Sequence, residues 1–310
     1  MSPTSGEQVR SPHVTTDPQF SASDVAVVIV HFGDHDVTAR AQKSVSGLNP
    51  PPGKIYIVNN GPGSWGSGDS DSNVEILDRS DNSGYAGAVN TAARAAICAG
   101  FDFVWILNND VEVDPLALTH FIQAYQQNPE LEIIGSYIMA ENLCWFGGGE
   151  FSTRTGRADH VGFGQPLDAT KGSGTCPTDW INGCSMFIPI TSFPTRGWFD
   201  ESFFLYKEEL EWQVRSTPVK AGLIRRPLVQ HLVGASTGSS NSRLGQVFMA
   251  RNGLILASRQ RGWRRVGWLG AWVLDFVCRP LLRFRFSVLR DHVEGATLVH
   301  TEPHEILARL

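Results

Sequence analysis

Three short aliphatic runs, each cut off by a polar cluster, constrain this chain more than any other feature. Val25 to Val30 is continuous, β-branched and ends in His31-Phe32-Gly33; Lys54 to Val58 ends in Asn59-Asn60-Gly61; Phe103 to Leu107 ends in Asn108-Asn109-Asp110. Unbroken apolar runs of this kind suit strands buried on both faces, as in a parallel sheet. Between them the pattern predicts a helix over Val37 to Gly47, a turn at Pro50-Pro51-Pro52-Gly53, a third short strand over Val74 to Leu77, and an Ala-rich helix over Ala86 to Ala99. Alternation of this sort predicts a doubly wound α/β sheet, in which ligands collect at the carboxyl ends of the strands. All three polar clusters stand at such ends.

Further along, Pro115 to Gln127 reads as a helix opened by Asp114-Pro115, and Glu132 to Tyr137 as a strand. The Gly-rich stretch from Gly147 to Gly174 leaves room for a hairpin and a mobile loop. After His231 a polar loop precedes a helix over Leu244 to Gln260, followed by a basic, aromatic segment. A 42% hydrophobic composition is enough for a sizeable core, and a net charge of -5 argues against nucleic acid as a partner. Five cysteines, odd in number and without CxxC or Cys/His spacing, suit a reducing, cytoplasmic setting. The Ser/Thr/Pro-rich start, residues 1–23, lacks the apolar centre of a secretory signal and reads as a disordered tail. No stretch reaches the roughly 18 to 20 apolar residues of a membrane span. The nearest, Val266 to Cys278, is short and contains Asp275.

Several segments offer chemistry. Asp110, at a strand end, can present carboxylate oxygen to a hard cation such as Mg²⁺ or Mn²⁺ bridging two phosphates, although Asn and Asp also favour turns and helix caps. Glu208, Glu209 and Glu211 follow the aromatic run Phe203-Phe204-Leu205-Tyr206. Carboxylates this close raise one another's pKa, and one held in a cleft can take a proton from a hydroxyl; a solvated helix start has the same composition. His231 is a candidate metal ligand or a structural imidazole.

In this order the segments resemble family 2 glycosyltransferases of the GT-A fold, particularly the rhamnosyltransferase-like branch. The resemblance runs through Val27 to Phe32, Ile57 to Gly61, Asn82 to Asn90, Leu107 to Asp110 with Asp114-Pro115, Trp180 to Met186, Gly197 to Tyr206 with its acidic continuation, His231, and Arg251-Asn252. It implies an α/β fold of GT-A type, Rossmann-like with a mostly parallel sheet flanked by helices, and a helical C-terminal extension. The catalytic domain would span 24–240, with a nucleotide-binding half over 24–115 and an acceptor-binding half over 116–240, and the extension would span 241–310.

By the same resemblance, His31, Phe32, Asn59, Asn60, Arg79, Gly84, Asn90, Asn108, Asn109 and Asp110 would surround a UDP- or dTDP-sugar. Asp110 and His231 would hold the divalent metal, and Trp180, Asn182, Gly183, Glu208 and Glu211 would face the acceptor. Glu209 would be the catalytic base. Two departures stand out: Asn59 and Glu209 occupy positions where such enzymes usually carry Asp, and an amide, unlike a carboxylate, both donates and accepts. The implied reaction is an inverting transfer to a hydroxyl of a glycan, lipid-linked or small-molecule acceptor. A catalytically silent module that binds a nucleotide sugar or glycan is the competing expectation. Trp180, Gly84 and Gly87 serve equally well as packing residues. The basic, aromatic stretch from Arg259 to Arg290 suits packing, a homodimer contact, or peripheral attachment at the inner face of a membrane.

Overall fold

The computed structural model describes residues 20–61, 65, 72–79, 81–167, 174–232 and 242–310. Most of the tail expected over residues 1–23 lies outside these. Its last residues differ from the expectation: Phe20 packs edge-on against Phe103 at 4.9 Å, and a 3-10 turn over Ala22–Asp24 leads into the first strand.

The N-terminal part follows the expected alternation: β1 (Val25–His31), α1 (His35–Ser46), β2 (Lys54–Asn59), β3 (Val74–Asp78), α2 (Gly84–Cys98) and β4 (Phe103–Asn108). Asp34 opens α1 by accepting a hydrogen bond from the Asp36 N–H at 2.8 Å. Alanines at 86, 88, 92, 93 and 96 bury α2 closely on the sheet. Then come β5 (Val111–Val113), α3 (Ala117–Gln127), β6 (Ile133–Ala140) and β7 (Leu143–Phe146), and the Gly-rich stretch supplies a hairpin, β8 (Gly149–Phe151) with β9 (Ala158–His160). The mobile loop expected in that stretch falls partly on residues 168–173, outside the described residues, and the polar loop expected after His231 falls mostly on 233–241, also outside them. The remaining elements are β10 (Thr175–Thr178), β11 (Ser185–Pro189), α4 (Ser192–Arg196), α5 (Glu208–Val214) and β12 (Ala221–His231). The helical extension follows: α6 (Arg243–Ser258), α7 (Gly262–Val273), a π turn (Leu274–Cys278), α8 (Arg279–Leu282), α9 (Phe286–Thr297) and α10 (Pro303–Arg309).

The main sheet runs β10-β12-β6-β11-β4-β1-β2-β3. It is parallel from β4 to β3 and again between β6 and β12, while β11 lies antiparallel between β4 and β6. Because β2 and β4 flank β1 on opposite sides, the strand order reverses there, and the crevice beyond the carboxyl ends of β1 and β4 is where an open α/β sheet binds ligands. A stack of Phe103, Phe187 and Phe121 fills the core beneath it, with centroids 4.9 and 5.1 Å apart. The extension is not an appendage: Phe204, from the loop before α5, shares a separate apolar cluster with Val247, Phe248, Leu298 and Ile306.

Candidate active site

The crevice begins at the end of β1. The Asn109 amide donates to Thr38 Oγ1 at 3.0 Å, and the same hydroxyl shares a hydrogen bond of 2.6 Å with His31 Nδ1. Burial, helped by the charge of His35, pushes the His31 pKa down to about 4 and keeps it neutral. Trp65 and His35 stand against the ring at centroid distances of 4.9 and 4.5 Å, and Phe32 is exposed at the rim.

At the end of β2, Asn59 donates its amide N–H to Asp78 Oδ1 at 2.8 Å and turns its carbonyl oxygen toward the Gly61 N–H, 3.4 Å away. The neighbouring Asn60 acts as a brace: its amide binds the Gly84 carbonyl at 3.0 Å and the Ser83 N–H at 2.9 Å, fixing the start of α2. Arg79 is held by Asp81 and by Thr91 Oγ1. Asn108, the last residue of β4, is half-buried, and its N–H donates to the Cys184 carbonyl at 3.1 Å.

Asp110 and His231 are 121 positions apart in sequence and meet through an antiparallel ladder. β5 pairs with β12 so that Val111 lies opposite His231, and the Leu232 N–H donates to the Asp110 carbonyl at 2.8 Å. Asp110 Oδ1 sits 3.3 Å from His231 Nε2. It is buried and makes no hydrogen bond among the described residues, nor does His231 Nδ1. Trp145 covers the imidazole at 4.5 Å between centroids. A buried carboxylate oxygen without a donor is expensive unless a cation satisfies it. No group of three or more His, Cys, Asp or Glu side chains forms a cation site among the described residues, so this pair offers two protein donors.

The third component is the loop leading into α5. Gly84 adopts φ +71°, and a Cβ there would fall 2.3 Å from the Phe204 carbonyl oxygen, so only glycine lets α2 approach the loop. The Tyr85 N–H donates to that same carbonyl at 2.8 Å. Tyr206 and Lys207 follow in the left-handed region at φ 67° and 68°, strained for non-glycine residues and costing about 1–3 kcal/mol each. Their geometry is held from the extension: the Asn252 amide on α6 donates to the carbonyls of Leu205 and Tyr206 at 2.9 and 2.8 Å. Arg251, nearly fully buried, donates to the carbonyls of Ser202, Leu298 and Thr301 and to Asn252 Oδ1. Asn252→Ala would remove a donor from two carbonyls and is expected to cost about 2–6 kcal/mol at roughly 1–3 per lost donor, measured as a lower urea midpoint. A midpoint equal to wild type would mean the loop holds its shape without α6.

The strained turn delivers Glu208 and Glu209. Each has an Oε2 that is buried without a hydrogen-bond partner among the described residues. Burial pushes both carboxyl pKa values up, Glu208 the more strongly because the Glu209 charge adds to it. The backbone N–H groups of Glu209, Leu210 and Gly183 and the buried Lys207 ammonium oppose the rise at Glu209. The same carboxylates and Asp110 act on the buried Tyr85 phenol, whose hydroxyl donates to the Gly183 carbonyl at 2.6 Å and whose pKa burial drives far up. Burial, with the charges of Glu208 and Asp110, also lifts Tyr206 to about 12. Both phenols thus feel the charges of Glu208 and Asp110.

Other residues named from sequence are engaged elsewhere. Asn90, expected to face the donor, spends its amide on Phe199: Nδ2 donates to the Phe199 carbonyl at 2.9 Å and Oδ1 accepts the Phe199 N–H at 3.0 Å. Glu211, expected at the acceptor, pairs with Arg215 at 2.6 Å and Arg259 at 3.3 Å. The Trp180 ring is buried against Gly149, Phe146 and His160. Asn182 accepts the Cys184 N–H at 2.8 Å and lies 3.3 Å from His160 Nε2. Thr38, Asp78, Trp145 and His160 were missed, since an isolated Thr, Asp, Trp or His has no periodic signal.

A GT-A fold, the sugar-transferase version of the doubly wound sheet, accounts for this layout. GalNAc-T7, crystallised with UDP, GalNAc and Mn²⁺, aligns at a TM-score of 0.53 and 12% identity, covering 84% of this chain and 57% of that one. Residues 26–147 match the family model described as glycosyl transferase family 2. A low-salt glycan biosynthesis hexosyltransferase of Haloferax volcanii is 25% identical over 203 residues, 64% of this chain and 63% of that protein. The match thus spans a little under two thirds of the relative's length.

Proposed function

We propose that the chain is an inverting hexosyltransferase that takes its sugar from a UDP- or dTDP-linked donor, rhamnose or a related hexose being the first to try, and delivers it to a hydroxyl of a glycan precursor or small natural product. The observation that carries this is Asp110 Oδ1, without a hydrogen-bond partner among the described residues, facing His231 Nε2, with its charge felt at the same Tyr85 phenol as those of Glu208 and Glu209, whose Oε2 atoms are buried. The family 2 match, the hexosyltransferase relative and a structural neighbour that holds UDP and Mn²⁺ support it.

An Asp oxygen with an imidazole nitrogen suits Mn²⁺ or Mg²⁺, which keep coordination positions for substrate phosphates. Asp110 and His231 would hold the cation, whose charge would offset that developing on the departing nucleotide diphosphate. His31, Phe32, Asn59 and Asn109 line the nucleotide end. The Asn59 carbonyl oxygen is the acceptor that a carboxylate would otherwise offer to the N3–H of a pyrimidine. Glu209 accepts the proton of the acceptor hydroxyl as its oxygen attacks the anomeric carbon from the face opposite the diphosphate. Gly183 and Tyr85 hold that carboxylate in position. Incubation with UDP-, dTDP- and GDP-sugars and Mn²⁺ should release UDP or dTDP and be stopped by a chelator. Thermal protection by these donors without any nucleotide release would instead make the chain a binding module.

A further inference from the structure

The C-terminal extension presents a surface that the catalytic reading does not use. α7, the π turn and α8 run as a continuous helical rod, and its inner face is fastened to the β8-β9 hairpin and to α6. Trp268 Nε1 donates to the Thr153 carbonyl at 3.0 Å, Trp272 Nε1 to the Ala250 carbonyl at 2.8 Å, and Asp275 pairs with Arg157 at 2.8 Å. The outer face is apolar. Trp263 and Val266 are 65% and 72% exposed, and Val273 and Leu274 continue the stripe at helical spacing. Where the rod ends, the chain turns through Phe284 at φ 54°, and Leu282 and Phe284 stand 75% and 78% exposed, alternating with Arg283 and Arg285. Large apolar side chains gathered in this way on a surface mark a contact.

The charges around them identify the partner. Residues 261–286 hold six arginines against the single Asp275, in a chain whose net charge is -5. Arg261, Arg264, Arg265, Arg283 and Arg285 are exposed and have no salt bridge among the described residues, while Asp275 is occupied by Arg157 and Arg279. Unpaired arginines flanking the stripe on α7 and alternating with Leu282 and Phe284 beyond α8 complement a layer that is greasy beneath and negative above. A two-fold contact with a second copy would lay this patch on itself and bring arginine against arginine. No helix among the described residues is long and apolar enough to cross a membrane.

We propose that this face docks the protein onto an anionic phospholipid surface, with Trp263, Val266, Leu282 and Phe284 entering the interface and the arginines meeting lipid phosphates. The site is independent of which sugar is transferred. Its test is co-sedimentation of the full chain with phosphatidylcholine vesicles with and without phosphatidylglycerol. Binding should require phosphatidylglycerol and fall with added salt. Replacing Arg264, Arg265, Arg283 and Arg285 together by Gln should weaken it by roughly two to three orders of magnitude, at about fivefold per arginine. L282D/F284D should weaken it without changing the melting temperature, since both side chains are already in solvent. Failure of the wild-type chain to sediment with either vesicle overturns the proposal. So does a dimer in sedimentation velocity that L282D/F284D dissolves while vesicle binding is unaffected.

Discussion

Glu209→Gln is expected to lower sugar transfer by roughly 10²–10⁴-fold, the range a positioned general base contributes, while leaving donor affinity unchanged. The amide keeps the volume of the side chain and its place beside Gly183, but it cannot take a proton. The pH dependence carries the same signature. Burial raises the Glu209 pKa above its ordinary 4.5, and below its midpoint the carboxyl is protonated and idle. Transfer by the wild-type chain should therefore rise with pH through a midpoint above 4.5 and then level off, and the residual rate of the variant should lack that limb. Stability moves the other way. A carboxyl whose pKa is raised on folding stabilises the folded state at low pH and loses that contribution as pH rises through the folded value, so the neutral amide should raise the melting temperature at pH 7. Loss of transfer together with a higher melting temperature distinguishes a base held at the expense of stability from a residue that only packs. Unchanged transfer would move the proton acceptor to Glu208, which shares the turn and the burial.

Asp110→Ala is expected to abolish metal-dependent donor binding and lower turnover by about 10²–10³, the loss typical of removing one group that stabilises developing charge. Half of the protein's contribution to the pair with His231 disappears, and His231 alone is a poor anchor for a cation that prefers oxygen. The measurement is calorimetric titration of the donor at several Mn²⁺ concentrations: wild-type affinity should climb with metal and that of the variant should stay flat. A variant that retains the wild-type dependence would remove Asp110 from the metal site.

The strand ends were legible because an aliphatic run that stops at polar residues has one common explanation in a parallel sheet. His31, Asn59 and Asn108 all close strands as that pattern implies. What joins Asp110 to His231 was not legible. β5 is three residues long and its partner β12 lies more than a hundred residues away, so no local periodicity announces their ladder. Long-range hydrogen bonding also redirected residues whose motif suggested a ligand. Asn90 sits where the resemblance puts a donor contact, yet its amide satisfies both backbone groups of Phe199. Glu211 belongs to an acidic run, but helical rotation carries it away from Glu209 and onto Arg215 and Arg259. A short motif can indicate what a side chain is able to do; which of its possible partners it meets is decided by the rest of the fold.

The grip of Arg251 and Asn252 on the loop before α5 bears on how the chain matures as it is made. Synthesis runs from the amino end, and by the time His231 has emerged the whole sheet can assemble. The turn at Tyr206 and Lys207 then still lacks the two amide hydrogens that hold it, and Phe204 lacks the apolar neighbours Val247, Phe248 and Leu298. A chain of that length would present Glu208 and Glu209 on a turn not yet held in shape, so their placement waits on residues made after them.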